Sequence, residues 1–323
     1  MRFLYVIDPL ALLNPAGDTT ISFLREANRK GIETWVCELQ DLTGSSTGST
    51  TARATQLAMT TSNEAMLWFE RKAQQTRSLD EFDIVWMRKD PPVDDLFLYA
   101  CMLLDRHDRK KTLVLNDPSS LRVCHEKLWA LQFTDVIPRQ IVSSDRAALK
   151  AFFDAEGKAV IKPLAFMGGM GVMVFEKTDK NLKSAIDLLT GEGKRPAIAQ
   201  QYLPRVKEGD KRVIVVDGDP VAALLRVPQS DDVRANLHVG GSAAKGVVDD
   251  DDRRICARLK PQLLAHGLFF VGLDVIGGVL TEINVTSPTG VPHIDVLDAR
   301  SGDDSVAAIV VARALARLEV ARR

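Results

Sequence analysis

The chain has 323 residues, of which 46% are hydrophobic and 26% are charged, and its formal net charge is -1. This length is typical of two or three packed subdomains, and the composition excludes a disordered or fibrous protein. A balanced charge does not provide the basic field that sequence-independent nucleic-acid binding needs, so we expect a small ligand or protein partner and no nucleic acid.

The N-terminus and the cysteines together indicate a cytoplasmic protein. The apolar run before Asp8 has five residues, which is too short for a signal sequence or a membrane span. The four cysteines form no CxxC pair and no Cys/His cluster, which argues against disulfides and zinc. We therefore predict a cytoplasmic location, no membrane contact and reduced, buried thiols at Cys37, Cys101, Cys124 and Cys256.

The first 120 residues follow the alternating strand and helix pattern of an open parallel sheet. A helix is predicted at 21–30, and the polar stretch 43–51 is typical of a mobile surface hairpin or loop without chemistry. Arg88 and Asp90 follow a strand directly, at the edge of the sheet where ligands usually bind. The predicted strands are 3–7, 33–38, 82–87 and 112–115.

After about residue 140 the pattern changes to strands separated by glycine-rich turns. This change predicts an α+β half with a largely antiparallel sheet. A helix at 127–135 leads into this half, and two more, at 181–189 and 253–266, interrupt its strands. The predicted strands are 159–164, 172–176, 197–202, 212–216, 221–227, 270–276 and 279–285.

The last two predicted strands carry Asp274, Glu282 and Asn284 on either side of a Gly277-Gly278 pair. Oxygen ligands that include two carboxylates suit a hard cation such as Mg²⁺ bridging nucleotide phosphates. The alternative is a surface hairpin with exposed acids. We favour the metal site, because isolated acids in apolar strands would be costly to bury.

Whether the three side chains meet depends on the turn between the strands. Side chains alternate along a strand, so Glu282 and Asn284 must share a face. A two-residue turn would pair Asp274 with Thr281 and direct Glu282 away. A three-residue loop would pair Asp274 with Glu282 and place Gly272 opposite Asn284, which leaves space beside the metal. We expect a loop of odd length.

A second candidate site consists of a strand that bears Lys162 and the glycine-rich loop 166–171 that follows it. Glycines let backbone N–H groups approach phosphate oxygens, and the loop could close as a lid. The segment lacks both the GxxxxGK[ST] pattern and a Rossmann fingerprint, so alone it could be a plain hairpin turn. Lys127, Arg212 and Arg226 would add positive charge for a triphosphate and a carboxylate.

These motifs resemble the bacterial glutathione synthetases of the ATP-grasp superfamily. The resemblance implies an α/β plus α+β fold class, an ATP-grasp fold with an N-terminal Rossmann-like (pre-ATP-grasp) subdomain. The implied division is a substrate domain at 1–123, a central lid subdomain at 124–199 and a catalytic subdomain at 200–323. The matching runs are MRKDPP at 87–92, EKL at 126–128, IKPL and MGGMG within 161–171, AQQYLP at 199–204, GDKRVIVVDG at 209–218, VGLDVIG at 271–277 and LTEINVTSPTG at 280–290.

The resemblance also implies roles for residues at the matching positions. ATP phosphates would lie at two lysines and the glycine loop, adenine at the backbone near Gln201, and the ribose near Asp210. Two arginines, whose forked donors suit carboxylates, would face the acyl phosphate or the substrate. The implied residues are Lys127, Lys162, Gly168, Gly169, Met170, Gly171, Gln201, Tyr202, Leu203 and Asp210 for ATP; Asp274, Glu282 and Asn284 for metal; Arg212 and Arg226 for catalysis; and Arg88, Asp90, Arg234, Asn236, Ser287, Thr289 and Gly290 for substrate.

The implied activity is that of an ADP-forming carbon–nitrogen ligase with ATP as co-substrate and Mg²⁺, or Mn²⁺ as an alternative, as cofactor. ATP would phosphorylate the cysteinyl carboxylate of γ-glutamylcysteine, and glycine would attack the acyl phosphate to give glutathione, ADP and phosphate. A lid loop near 227–241 would exclude the water that hydrolyses an acyl phosphate. Family analogy further implies a homo-oligomer.

Two departures from the family pattern leave the substrates open. Pro292 and His293 stand where an Arg-Glu pair is usual. In the lid loop, Ser-Asp-Asp at 230–232 replaces glycines and a Glu, and Ala235 replaces a glycine. The alternatives are therefore an ATP-grasp ligase with another acid or amine, or a nucleotide-binding regulator without catalysis. Retention of the acids and lysines speaks against the regulator.

Overall fold

The computed structural model describes residues 1–229 and 240–322, and its strands form three sheets. The first is seven-stranded, with β3, β4, β2, β1, β6 and β7 in spatial order and β5 paired to β4. Its β2, β1, β6 and β7 are parallel. Its elements are β1 (Arg2–Val6), α1 (Thr19–Arg29), β2 (Glu33–Cys37), β3 (Leu42–Ser45), β4 (Gly48–Met59), β5 (Phe69–Ser78), β6 (Ile84–Met87), α2 (Asp95–Leu104), β7 (Leu113–Leu115) and α3 (Pro118–Val123).

The second sheet is antiparallel, with β10, β9, β11 and β8 in spatial order. Two helices cover it, and residues such as Leu149, Phe153 and Ile161 form a core separate from the rest of the protein. Its elements are β8 (Gln140–Ser143), α4 (Arg146–Glu156), β9 (Lys158–Pro163), β10 (Met173–Glu176), α5 (Leu182–Thr190) and β11 (Ala197–Gln201). The boundary predicted at 199/200 falls inside β11.

The third sheet is also antiparallel, with β14, β13, β12, β15 and β16 in spatial order. It shares its core with the first sheet: Trp86 packs edge-on against Phe269, and Phe23 against Phe270. Its elements are β12 (Asp210–Val216), β13 (Asp219–Val227), β14 (Ser242–Lys245), α6 (Asp250–Ala265), β15 (Phe270–Ile276), β16 (Val279–Asn284), α7 (Val291–Leu297) and α8 (Val306–Ala321). No described helix is long and apolar enough to span a membrane.

Local sequence explains why the elements lie where they do, as α1 illustrates. The Asp18 carboxylate accepts the N–H groups of Thr20 and Ile21 and so caps the helix N-terminus. Ile21, Leu24 and Ala27, spaced three apart, bury one face. Gly31 then adopts a positive φ of 72°, which ends the helix.

Most predicted strands and the antiparallel C-terminal half are confirmed, and 43–51 is a hairpin of β3 and β4. The predicted parallel sheet is confirmed for β2, β1, β6 and β7 only, since β3, β4 and β5 add antiparallel pairs to it. The predicted helix at 127–135 is wrong, because only a short 3-10 turn forms at Trp129–Gln132. The backbone on either side of that turn bonds to β16 instead: Ile283 donates to the Glu126 carbonyl, and Leu280 to that of Val136. The sequence analysis also missed β5, β8, β14, α2, α3, α4, α7 and α8.

A buried amide joins the first sheet to the acid-bearing hairpin. Asn116, directly after β7, donates to the carbonyls of Phe270 (2.9 Å) and Val285 (2.8 Å) and accepts the Phe270 N–H (2.8 Å). These bonds hold the start of β15 and the end of β16 together. The position of Asp274, Glu282 and Asn284 relative to the first sheet therefore depends on Asn116.

Asn116→Ala should lower the free energy of unfolding by roughly 2–4 kcal/mol, because it leaves three buried backbone groups without partners. The measurement is thermal or urea unfolding followed by circular dichroism. Asn181→Ala is the matched control, since Asn181 is exposed and its side chain caps nothing. An Asn116→Ala variant as stable as this control would contradict the structural role.

Candidate functional site

Asp274 and Glu282 are cross-strand partners in β15 and β16, and Gly272 lies opposite Asn284, as predicted. The prediction that the loop has an odd number of residues is wrong. The turn has two residues, Gly277 and Gly278, with φ of 58° and 78°, values that only glycine adopts at low cost. A β-bulge at Thr281 restores the pairing, and its hydroxyl donates to the Asp274 carbonyl at 3.0 Å.

The space above Gly272 is filled by protein. A Cβ at this position would lie 2.9 Å from both Arg212 Cδ and Pro288 Cβ. Gly272 thus lets the Arg212 side chain cross the strand toward Asp274, where we had expected the space to lie beside a metal. The amide of Asn284 donates to the Gly272 carbonyl at 3.2 Å, which leaves its oxygen free to accept or ligate.

Four charged residues form a buried row across β13, β12 and β15. Arg212 binds Asp274 with two hydrogen bonds, of 2.6 and 3.1 Å. Arg226 lies 2.6 Å from Asp210 and 3.0 Å from Asp274. Both ion pairs follow from the register, since Arg212 is opposite Asp274 and Asp210 is opposite Arg226. The paired arginines fix both carboxylates in place.

The row has opposite effects on its two acids. Burial favours the neutral form of Asp274, but the charges and hydrogen bonds of Arg212 and Arg226 outweigh burial and hold its pKa well below the usual range. Burial raises the pKa of Asp210 to about 6. The positive charge of Arg226 opposes this rise, whereas the negative charge of Asp274 adds to it. One Asp210 oxygen has no hydrogen-bond partner among the described residues, so it can accept a ligand hydroxyl.

Glu282 faces two lysines from outside its own sheet. Lys162 Nζ lies 3.6 Å and Lys127 Nζ 3.8 Å from the Glu282 carboxylate. Burial lowers the pKa of Lys162, and the Glu282 charge opposes that shift. Both lysines are buried, whereas Glu282 is partly open to the cleft between the second and third sheets. Two cations and one accessible carboxylate are suited to a metal–phosphate ligand.

The glycine loop covers this cleft. Gly168, Gly169 and Gly171 have positive φ, and Lys127 Nζ donates to the Phe166 carbonyl at 2.8 Å. Met170 is about half exposed at the tip. The loop and both lysines therefore lie on one side of the cleft, opposite Asp274 and Glu282. Residues 201–203 form the remaining wall together with apolar side chains, namely Val160, Val172, Val174, Val206 and Ile276.

A second cavity of about 500 Å³ adjoins the cleft and is bordered by the same Asp274, Glu282 and Lys127. It opens between the third sheet and the N-terminal residues near Asn14 and Asp18. Among the predicted substrate residues it includes Asp90, Ser287, Thr289 and Gly290, together with both buried arginines. Arg234 and Asn236, and the lid residues 230–239 as a whole, lie outside the described residues.

Arg88 lies beneath this cavity and does not line it. Its guanidinium is buried between the rings of Phe23 and Phe270 and donates to the Thr20 hydroxyl and the Pro288 carbonyl. Ser287 in turn donates to the Arg88 carbonyl at 3.2 Å. Through these contacts Arg88 holds the 287–290 loop against the first sheet.

His293, one of the two departures from the family pattern, lines the second cavity. Its ring lies 3.4 Å from the position that a Cβ on Gly17 would occupy, and its buried Nδ1 has no hydrogen-bond partner in the part of the chain that the structure describes. Burial lowers its pKa, so the imidazole is neutral at pH 7. A neutral imidazole thus stands at the cavity wall.

Sequence reasoning missed a supporting residue, Glu126. Its buried carboxylate accepts the N–H groups of Val285 and Thr286 at 3.1 and 3.2 Å. These bonds attach the segment that carries Lys127 to the residues that follow β16. The only available signal was an acid next to Lys127 in the run EKL, and nothing local indicates that it is buried.

The donor set fits a hard divalent cation in part. No cluster of three or more His, Cys, Asp or Glu side chains with metal-binding geometry occurs among the described residues. Glu282 and the Asn284 oxygen are available, whereas both Asp274 oxygens already accept arginine hydrogen bonds and retain only their second lone pairs. A metal ion here would therefore need oxygen atoms from a bound small molecule to complete its coordination shell.

Two family models cover most of the chain. The prokaryotic glutathione synthetase N-terminal domain matches residues 1–122, and the ATP-grasp domain of the same family matches 126–299. A glutathione synthetase of Synechococcus elongatus is 43% identical over 96% of this chain and 98% of its own length. One from Salmonella typhimurium is 42% identical over 90% of this chain and 91% of its own.

Solved structures share the fold at lower identity. The D-cycloserine synthetase DcsG superposes with a TM-score of 0.66 at 16% identity, covering 98% of this chain and 100% of its own. The ATP-grasp ligase PsnB, complexed with a precursor variant, Mg and ADP, gives 0.62 at 16% identity, covering 97% and 98%. The fold is thus that of ATP-grasp ligases, and the sequence matches place the chain in the prokaryotic glutathione synthetase family.

Proposed function

We propose that this chain joins γ-glutamylcysteine to glycine, with ATP as phosphoryl donor, and so acts as an ADP-forming carbon–nitrogen ligase. ATP transfers its γ-phosphoryl group to the cysteinyl carboxylate, and the glycine amine attacks the resulting acyl phosphate with loss of phosphate. A free carboxylate resists amines, so activation is essential. The observation that carries the proposal is the shared border of the two cavities at Asp274, Glu282 and Lys127.

The first cleft is proposed as the nucleotide site. Lys127, Lys162 and the glycine-loop N–H groups hold the phosphates, and the apolar wall beside Gln201, Tyr202 and Leu203 holds adenine. The unpartnered Asp210 oxygen accepts a ribose hydroxyl. Charge supplied by the two lysines stabilises the phosphoryl group during transfer.

The second cavity is proposed as the site of the acid and amine substrates. Arg212 and Arg226 face it and present positive charge where the acyl phosphate forms. The 287–290 loop and Asp90 line the remainder, with Asp90 suited to a substrate ammonium group. Arg234 and Asn236 stay predictions for the same site.

Mg²⁺, with Mn²⁺ as a substitute, is the proposed cofactor. Glu282, Asn284 and the remaining lone pairs of Asp274 would hold it together with ATP oxygens. When bound, the ion neutralises phosphate charge and orients the γ-phosphoryl group. The cytoplasmic location predicted from the sequence likewise stays a proposal, in keeping with four buried, unpaired cysteines.

Purified protein should release ADP only when γ-glutamylcysteine and glycine are both present, with one glutathione formed per ADP. The measurement is coupled ADP detection together with mass spectrometry of the product. Panels of other amino acids and other γ-glutamyl acids are the comparison. Turnover with a different pair, and none with this one, would favour the alternative of an ATP-grasp ligase with other substrates. ATP binding without any ADP formation would favour a regulator.

Glu282→Gln should lower kcat for ADP formation by at least about 100-fold, because it removes the accessible carboxylate next to both lysines. Its fold should persist, since Glu282 is partly exposed and makes no close hydrogen bond among the described residues. Glu208→Gln is the matched control, as Glu208 is exposed and pairs only with Arg205 in the described part of the chain. Equal rates for the two variants would remove Glu282 from the mechanism.

His293→Ala should raise KM for the acid substrate by about tenfold through loss of a hydrogen bond to a charged group, and leave KM for ATP unchanged. In the wild type, KM for the acid should fall as pH drops through the lowered pKa of His293, because the imidazolium attracts the carboxylate. The variant should lose this pH dependence. His266→Ala, outside both cavities, should keep it.

A further inference from the structure

Two methionines of the glycine loop lie where the two cavities meet. Met167 and Met170 line both the first cleft and the second cavity. They are 39% and 51% exposed, respectively. Three others among the eight methionines of the chain are also exposed, but they line neither cavity: Met1, Met66 and Met102. Solvent that enters the proposed site therefore reaches the thioethers of the glycine loop.

A tight turn holds these two side chains next to each other. Gly168 and Gly169 have φ of 64° and 83°, and a type I′ turn requires positive φ at both central residues. The Met170 N–H closes the turn by donating to the Met167 carbonyl at 3.2 Å. The first and last residues of such a turn are direct neighbours, with side chains on one face. Met167 and Met170 therefore form one small site.

Hydrogen-bond donors stand close to this methionine pair. Lys127 Nζ donates to the carbonyl of Phe166, the residue directly before Met167, at 2.8 Å. The same ammonium group lies 3.8 Å from the Glu282 carboxylate, at the border of the two cavities. A thioether sulfur is only a weak acceptor, so the pair leaves these donors to a ligand. A strong acceptor at the same position would compete for them.

The cysteines of this chain are poor targets for an oxidant. All four are buried, and burial raises the pKa of every one of these thiols. Peroxides react with the thiolate, which is scarce at neutral pH when the pKa is raised. A thioether does not ionise, so its oxidation needs only access to solvent. The exposed methionines are therefore the groups that a peroxide reaches first.

We propose that Met167 and Met170 form a reversible oxidation site, at which hydrogen peroxide converts the thioethers to sulfoxides and thereby weakens nucleotide binding. Each sulfur loses two electrons and forms a bond to one peroxide oxygen. The O–O bond breaks, and the second oxygen leaves as water with both peroxide protons. A methionine sulfoxide reductase reverses the step with two thiols, which become a disulfide while the sulfoxide oxygen leaves as water.

Oxidation changes the chemistry of the loop at the place proposed for the ATP phosphates, so the effect rests on the proposed nucleotide site. A sulfoxide is polar, and its oxygen is a strong acceptor with partial negative charge. That oxygen competes with phosphate for the Lys127 ammonium and for the N–H groups of the glycine loop, and it repels the phosphate charge. One competing hydrogen bond to a charged group should raise the dissociation constant of ATP on the order of tenfold.

The full chain, treated with hydrogen peroxide, tests the site. Peptide mass spectrometry measures the sulfoxide at each methionine, and titration calorimetry measures the ATP affinity. The affinity should fall as Met167 and Met170 are oxidised, and methionine sulfoxide reductase with dithiothreitol should restore it. Bound ATP fills the cleft that both side chains line, so it should slow their oxidation. It should not slow that of Met66 and Met102, which are 45% and 52% exposed outside both cavities.

Leucine variants assign the effect, because leucine is close to methionine in volume and cannot be oxidised in this way. The double variant Met167→Leu, Met170→Leu should keep after peroxide the ATP affinity that it had before. The matched control, Met66→Leu with Met102→Leu, should lose affinity as the wild type does. Circular dichroism confirms that both fold.

Three results overturn the proposal. These are resistance of Met167 and Met170 to peroxide, an affinity that their oxidation leaves unchanged, and an equal loss in the Met167→Leu, Met170→Leu variant. Failure of the proposed function differs from all three, because the untreated protein would then bind no ATP or form no glutathione. An untreated protein without ATP binding overturns the oxidation proposal as well.

Discussion

The ion pairs that Asp274 makes with Arg212 and Arg226 are the interaction on which the site depends. They bring a carboxylate into a buried position that would otherwise favour its neutral form, and they hold it ionised. Because each partner comes from a different strand, the pairs also fix the relative position of β12, β13 and β15. Removing one arginine would leave an uncompensated charge in the middle of the third sheet.

The same row separates the two cavities and connects their chemistry. Glu282 continues the row on β16 and is the acid that faces the two lysines at the first cleft, the proposed nucleotide site. Arg212 and Arg226 face the second cavity, the proposed substrate site. Cations thus approach the shared border from both directions, in an arrangement suited to a phosphoryl group that leaves one cavity and joins a carboxylate in the other.

The support for this row is spread over the whole chain. Asn116 fixes both strands of the acid hairpin to the first sheet, Glu126 anchors the Lys127 segment to the end of β16, and Arg88 holds the 287–290 loop. Asn116 and Arg88 are buried and Glu126 is partly buried, and the hydrogen-bond partners of all three are mainly backbone groups. Their loss should move the side chains proposed to act in catalysis without removing any of them, which distinguishes these residues from Glu282 or Lys162.

The sequence by itself determined the antiparallel sheets of the C-terminal half, the parallel core of the first sheet, the family and the residues that carry charge into the site, because strand periodicity and motif spacing are local properties. It also indicated that Asp274 and Glu282 belong together. Only the tertiary structure decided how they meet: a two-residue turn with a bulge at Thr281, where an odd loop had been expected. Register depends on pairing with a neighbouring strand, and no local pattern encodes a bulge. For the same reason the predicted helix at 127–135 failed, since its flanks bond to β16, and the burial of Arg88 became visible only when Phe23 and Phe270 enclosed it.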